Sequence, residues 1–344
     1  MQVKILDIFG DCAQWDEYVT NHGHATVYHM SAWGRAVSRS MGHKCYYLYI
    51  EDQGRISGLV PLIHIKSRLF GNSLISVAFA TNGGPIFDNR QALDILDEEC
   101  RKLRSDLDVD YLECRNMAAV HEDWPTKKDM YSTFRKDLSP DNEENMKAIP
   151  RKQRAMVRKG IKFGLKAVLD DLPDRLFAMY SESVRNLGSP VFPKKLFFHL
   201  KQEYGENCEI LTIETEQGKA VSSVMTFYFR DEVVPYYGGG TFEARGLAAN
   251  DFMYWSLMEH AVDKKDCRIF DFGRSKNGAG AFSFKKNWGF EPVPLNYEFI
   301  LKNGGELPDI NPLNPKYQLM IKVWKKLPLS VANFVGPLVS RSLG

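Results

Sequence analysis

Two stretches of this chain repeat one order of elements, and that repetition limits the fold more than any other feature. Residues 46–65 read as two strands around a turn at Asp52-Gln53-Gly54. Residues 73–81 predict a third strand, closed by Asn82-Gly83-Gly84-Pro85. A helix is expected over 90–107, with Leu93, Leu96, Cys100, Leu103 and Leu107 on one stripe, and then a buried strand over 110–115. The second half restates this order. Two strands are expected in 209–229, a short strand over 233–237 ending in Gly238-Gly239-Gly240, a helix over 250–264 and a strand over 268–274. The pairs Gly54/Gly218, Gly84/Gly240 and Arg115/Arg274 keep spacings of 164, 156 and 159 residues. Duplication of one α/β unit accounts for this. The expected divisions are 1–140, 141–304 and a tail, 305–344, with the first cut in the polar stretch Leu138-Ser139-Pro140-Asp141.

Length and charge agree with two domains. At about 150 residues per domain, 344 residues make roughly two. Lys and Arg number 45 against 43 Asp and Glu, which excludes a whole-chain electrostatic grip on nucleic acid. The six cysteines form no C-x-x-C pair, so neither a zinc site nor a disulfide framework is expected, and a reducing compartment fits. Asp7, Asp11, Asp16 and Glu17 interrupt any apolar leader core, and no run of about 18 apolar residues occurs. The expected location is the cytoplasm, with the inner face of the plasma membrane as a variant of it.

The chemistry concentrates in the second half. Residues 236–254 run from a strand through three glycines and Arg245-Gly246 to Asn250, expected to cap a helix. Such a turn suits an anion. The spacing Glu243-x-x-Gly246-x-Ala248 resembles the pyrophosphate loop of GNAT acyltransferases, with an acid in the first position. After Arg274 come a glycine-bearing loop, a short helix from Phe282 to Trp288, and Gly289-Phe290 entering a last strand.

The segment FDFGRSK…FKKNWGFEPVPLNY, together with YHMSAWGRAV at 28–37, resembles the FemAB-like branch of the GNAT superfamily, over about residues 25 to 300. It is closest to the FemAB-like proteins associated with exopolysaccharide and protein sorting. The resemblance implies an α/β chain of two tandem GNAT-like domains with a central cleft, an acceptor side first and a donor side second. It implies transfer of an acyl or aminoacyl group to an amine of a cell-envelope or exopolysaccharide precursor, carried by a nucleotide or a lipid. Lys285, in the Phe284-Lys285 motif, would support the tetrahedral transition state. No cofactor is expected to bind tightly. The donor is aminoacyl-tRNA or acyl-CoA. The long helical hairpin with which Fem transferases reach tRNA has no counterpart here.

The residues add further candidates. Asp271 is the expected base for the amine proton, or else a partner of Arg274. Residues 143–166 carry eight Lys or Arg, Arg154 and Arg158 among them, against two Glu, enough for a phosphate or an RNA backbone. Trp33 reads as a core anchor. Arg35, Arg39 and His43 fall on one helix face, suited to an anionic acceptor. Asn82 stands at a strand end, Arg115 and Arg274 at matching strand ends, and Tyr236 and Tyr237 leave a strand with one facing the cleft and one packed inside. In the tail, Pro308, Pro312 and Pro315 make a linker. Tyr317, Met320, Ile321 and Trp324 then line one face of a helix opposite Lys322, Lys325 and Lys326. Residues 315–344 either contact a membrane peripherally or pack on the second domain. Two rival readings are an acyl-CoA-dependent N-acetyltransferase and a non-catalytic peripheral-membrane module.

Overall fold

A computed structural model describes residues 2–68, 70–308 and 315–344. In chain order the first elements are β1 (Gln2–Leu6), α1 (Ala13–Asn21), α2 (Ser31–Met41), β2 (Lys44–Asp52), β3 (Arg55–Ser67), β4 (Gly71–Ser76), β5 (Ile86–Phe87), α3 (Arg90–Asp106), β6 (Tyr111–Asn116) and β7 (Thr126–Lys127). Next come β8 (Tyr131–Asp137), α4 (Asn142–Ala148), α5 (Arg151–Lys162), β9 (Lys166–Asp170), α6 (Asp174–Leu187), α7 (Lys194–Tyr204), β10 (Cys208–Glu214), β11 (Ala220–Phe229) and β12 (Glu232–Gly240). The last are α8 (Ala244–Leu247), α9 (Ala249–Lys265), β13 (Ile269–Asp271), β14 (Ser275–Lys276), α10 (Gly280–Asn287), β15 (Pro292–Pro294), β16 (Asn296–Leu301), α11 (Pro315–Trp324) and α12 (Leu329–Ser340).

These elements form two units. One comprises Met1–Met130, Pro294–Ile310 and Ser340–Gly344; the other comprises Tyr131–Val293 and Asn311–Val339. Each holds one mixed sheet. The first runs β1-β2-β3-β4-β6-β16-β7, and the second, read the same way, β9-β10-β11-β12-β13-β8-β14. The orders correspond strand for strand. In each path only the fourth and fifth strands are parallel, β4 with β6 and β12 with β13. A parallel step needs a crossover, which α3 supplies in one unit and α9 in the other. Asn89 caps α3 by accepting from Ala92 N at 3.0 Å. Its buried stripe is Leu93, Leu96, Cys100 and Leu103, as the periodicity predicts.

The same correspondence shows where the chain departs from the expected divisions. β8 lies before residue 140 yet pairs with β13, and β16 lies inside the expected second division, 141–304, yet pairs with β6. The second unit thus begins with β8, at Tyr131, and the first sheet is completed by β16, a strand that follows the second unit's Tyr131–Val293 segment.

Four local expectations are corrected. β4 stops at Ser76, and 77–81 form a buried turn with Phe79 at φ +65°. Carbonyls there serve side-chain donors instead of a ladder: Trp33 Nε1 donates to Ala78 O at 3.1 Å, and Arg115 Nη1 to Ala80 O at 2.9 Å. Gly238–Gly240 do not form a loop. They extend β12 and pair with Ser222–Val224. α2 ends at Met41 on a left-handed Gly42, so His43 leaves the Arg35/Arg39 face. Ala248, not Asn250, precedes α9, while the Asn250 side chain accepts from Ser222 Oγ at 2.9 Å.

The tail is not free of the second unit. Ile321 meets the Gly188 turn, where a Cβ would lie 2.5 Å from Ile321 Cγ2, and Gly336 meets Val191 in the same way. Met320 is 51% exposed, off the packed side of its expected stripe. Pro312 and the side chains of Pro315 and Tyr317 lie outside the described residues. No described helix is long and apolar enough to cross a membrane.

Candidate active site in the second unit

β12 and β13 pair only at Glu232/Ile269 and Val233/Phe270. Beyond that they part, because β12 continues along β11 while β13 ends at Asp271 and Gly273 turns the chain at φ +66°. The carboxyl end of a parallel pair is where open α/β sheets take ligands. The turn presents the carbonyls of Gly273 and Arg274 to α10. Lys285 on that helix donates to them from Nζ at 2.9 and 3.1 Å.

Lys285 is buried, although a lysine on a short helix beside a second lysine ordinarily faces water. Its ammonium lies 5.5 Å from the Phe134 ring centroid and 5.9 Å from that of Phe272. Burial pushes its pKa down to about 7, against the pull of Asp271. Two of its three N–H groups are committed, and the third has no acceptor among the described residues.

Asp271 supports this arrangement from below. Its Oδ1 accepts from Gly273 N at 2.7 Å and from Thr133 Oγ1 at 3.2 Å, and Arg135 Nε lies 3.8 Å from Oδ2. Burial raises its pKa, while the Gly273 amide, Arg135 and Lys285 oppose the rise. The cation beside Asp271 is thus Arg135 rather than Arg274, whose guanidinium lies over the Tyr131 ring at 4.5 Å.

The structure brings Lys285, Asp271 and Arg274 together. Thr133, Phe134 and Arg135 complete the group, and sequence reasoning missed all three. They sit on β8, well over a hundred residues earlier, and 131–137 carry no apolar alternation that could have marked that strand, since Tyr131 and Phe134 are three apart. The other candidates in this unit lie elsewhere. Tyr237 is a core residue with its ring edge-on to Tyr180 and Phe197, and Tyr236 is half-buried beside it. Arg245 is exposed on α8, and Glu243 before it pairs with Lys219 at 2.6 Å. Arg154 donates to Lys147 O, and Arg158 is exposed on α5.

In the first unit, Trp33, Asn82 and Arg115 converge on the turn after β4. Asn82 O accepts from Thr26 Oγ1 at 3.4 Å, and the Gly83 and Gly84 amides both donate to Arg115 O. Arg35 is held separately by Ser31 Oγ at 2.7 Å.

Residues 144–286 match the acetyltransferase (GNAT) domain family. No curated protein matches the sequence. Among solved structures, the crystal structure of FemX shares 14% identity at a TM-score of 0.64, covering 93% of this chain and all of that one. The C-terminal domain of a putative lysylphosphatidylglycerol synthetase from Agrobacterium fabrum shares 12% identity at 0.58, covering 87% and 94%. A tandem GNAT protein from the clavulanic acid biosynthesis pathway shares 11% at 0.55, covering 87% and 98%. At these identities the likeness is one of fold. Residues 144–286 thus match a GNAT acetyltransferase domain, and the chain as a whole shares with these structures a fold of two sheets of one strand order.

Proposed function

We propose that this protein is an N-acyltransferase that moves an acyl or aminoacyl group to an amine of a cell-envelope or exopolysaccharide precursor, with Lys285 at the reacting carbonyl. One observation carries the reading: a buried amine, fixed on two main-chain carbonyls where the strands part, keeps one N–H without an acceptor among the described residues. Attack of an amine on an acyl ester or thioester places negative charge on the carbonyl oxygen. A preorganised cation in a dry site stabilises that charge far better than water does. Asp271 positions this group by holding the Gly273 turn and by favouring the charged form of Lys285. It is not assigned as the base, because its Oδ1 is already occupied by two donors.

Donor and acceptor follow from the surroundings. In the turn 243–248, the amides of Leu247 and Ala248 bond within the turn and the Glu243 carboxylate stands at its start. A CoA pyrophosphate would meet an acid there, which favours an aminoacyl ester. α5 exposes Arg151, Lys152, Arg158, Lys159 and Lys162, a surface suited to the phosphates of tRNA or of a nucleotide-linked acceptor. A lipid-linked acceptor fits α11 and α12. Leu319, Met320, Val323, Phe334 and Leu338 are exposed there beside exposed Lys322, Lys325 and Lys326, and 315–344 contain no acidic residue.

The test is binding followed by turnover. The protein is melted with acetyl-CoA, with aminoacyl-tRNA and with a UDP-linked amino sugar, and the stabilising pair is then assayed in wild type and Lys285→Met. Stabilisation by tRNA or the nucleotide sugar is expected, with at least about 100-fold loss of kcat in the variant. A shift with acetyl-CoA alone would replace the aminoacyl donor by CoA. Unchanged turnover in Lys285→Met would remove Lys285 from the chemistry.

A further inference from the structure

Segment 341–344 is seated on the first unit. The His43 ring Nε2 lies 2.6 Å from Arg341 O, and Arg115 Nη2 donates to the main-chain oxygen of Gly344 at 2.9 Å. The seat is narrow at Gly344: a Cβ there would lie 2.9 Å from Ile65 Cγ1, 2.9 Å from Ile75 Cδ1 and 3.4 Å from Ala78 Cβ. Arg115 is only 4% exposed and is fixed on three other sides. Its Nε pairs with Glu113 at 2.7 Å, its Nη1 donates to Ala80 O at 2.9 Å, and its guanidinium lies 5.6 Å from the Tyr297 ring centroid.

The arrangement has the parts of a binding site. A guanidinium held in one orientation selects a carbonyl or carboxylate oxygen. The apolar slot beside it admits a residue with little or no side chain. The place is the end of the parallel pair β4–β6, equivalent to the strand parting that presents Lys285 in the second unit. On the same turn Asn82 is 2% exposed, and its Nδ2 has no acceptor among the described residues. The contacts of His43 and Arg115 to segment 341–344 are made to main-chain oxygens, so they recognise a backbone rather than this particular sequence.

We infer that this seat is a peptide-binding site, taking a short peptide with a glycine or alanine in the slot and a carbonyl or carboxylate oxygen on Arg115, and that segment 341–344 is an internal occupant which such a peptide displaces. The inference does not depend on the chemistry of Lys285. A tethered occupant competes at an effective concentration on the order of millimolar, so the intact protein masks the site.

The probe is a fluorescein-labelled peptide with the sequence of residues 337–344, made with a free carboxylate and with an amide end, and read by anisotropy. A variant lacking 341–344 should bind it at least about tenfold more tightly than the full chain, and Arg115→Met in that variant should abolish binding. A carboxylate preference would mark a peptide end as the ligand, and equal binding an internal carbonyl. Equal binding by full and shortened chains, or none by either, would overturn the proposal. Gly344→Leu gives a second readout in the full chain. Its side chain meets Ile65 and Ile75, so the segment should leave and trypsin should cut after Arg341 about tenfold faster than in wild type. Equal cleavage of the two proteins would likewise overturn it.

Discussion

At the scale of single residues, two buried charges set testable pH behaviour. Lys285 titrates near 7, far below its ordinary 10.5, because burial disfavours its charge. As an oxyanion donor it must be protonated, so kcat should fall as pH rises above about 7; a kcat that rises through that range would make it a base instead. Stability moves the other way. The folded form releases the proton first, so the cost of burying the charge is complete below about pH 7 and gone above 10.5. Lys285→Met should therefore gain urea midpoint relative to wild type as pH is lowered from 10 to 7. His121 carries the opposite sign. Its ring lies between Asp97 at 3.0 Å and Glu298 at 2.5 Å and stacks on Trp124 at 3.6 Å. Burial works against its charge, but the two carboxylates outweigh burial and raise its pKa above 6.5. Its stabilisation is complete below 6.5 and lost as pH rises through the higher folded value. His121→Gln should cost about 3 kcal/mol near pH 6 by urea denaturation, and less at pH 9. A deficit independent of pH would mean that the imidazolium is not what holds the 117–125 loop.

At the scale of elements, the triple glycine of β12 and the helices of the tail are the informative cases. Gly239 admits α6, since a Cβ there would lie 2.6 Å from Met179 O and 2.8 Å from Tyr180 Cα. Those neighbours are backbone and cannot swing aside. Gly239→Val should destabilise the protein by about 2 kcal/mol, measured by thermal or urea unfolding; a neutral result would mean that α6 can slide. α11 and α12 cover the second unit with one side and expose Phe334 (78%) and Leu319 (68%) on the other. Vesicles containing phosphatidylglycerol should bind the protein more tightly than neutral ones. A Leu319→Asp/Phe334→Asp double variant should lose about tenfold in partitioning, with salt weakening the wild type as well. Equal partitioning of variant and wild type would leave these helices as packing elements only.

At the scale of the whole molecule, β8 and β16 each lie across residue 140 from the sheet they complete, and this decides what can be separated. A cut at 140 gives a first piece without β16 and a second without β8. Each would expose the edge of a buried strand, β6 or β13. Neither 1–140 nor 141–344 should show a cooperative unfolding transition alone, and the second would also lack Phe134 and Arg135 from its site. A cooperative melt of 141–344 at the full-chain midpoint would refute this account of the sheet.

Read from the amino acids alone, the chain already declares two α/β units of one order, the crossover helices, and Lys285 in a Phe-Lys motif. These rest on periodicity, glycine punctuation and local motifs, all of which act within a few turns or strands. Three things needed the tertiary structure. The partners of Lys285 and Asp271 on β8 are distant in sequence, and strand pairing between remote segments leaves no local pattern. The role of Gly238–Gly240 reads from sequence as a loop, because a glycine that admits a helix and one that turns a chain look alike until the neighbour is placed. Burial of Lys285, like the seating of 341–344 on Arg115, depends on which surfaces the completed sheets leave covered, and only long-range packing decides that.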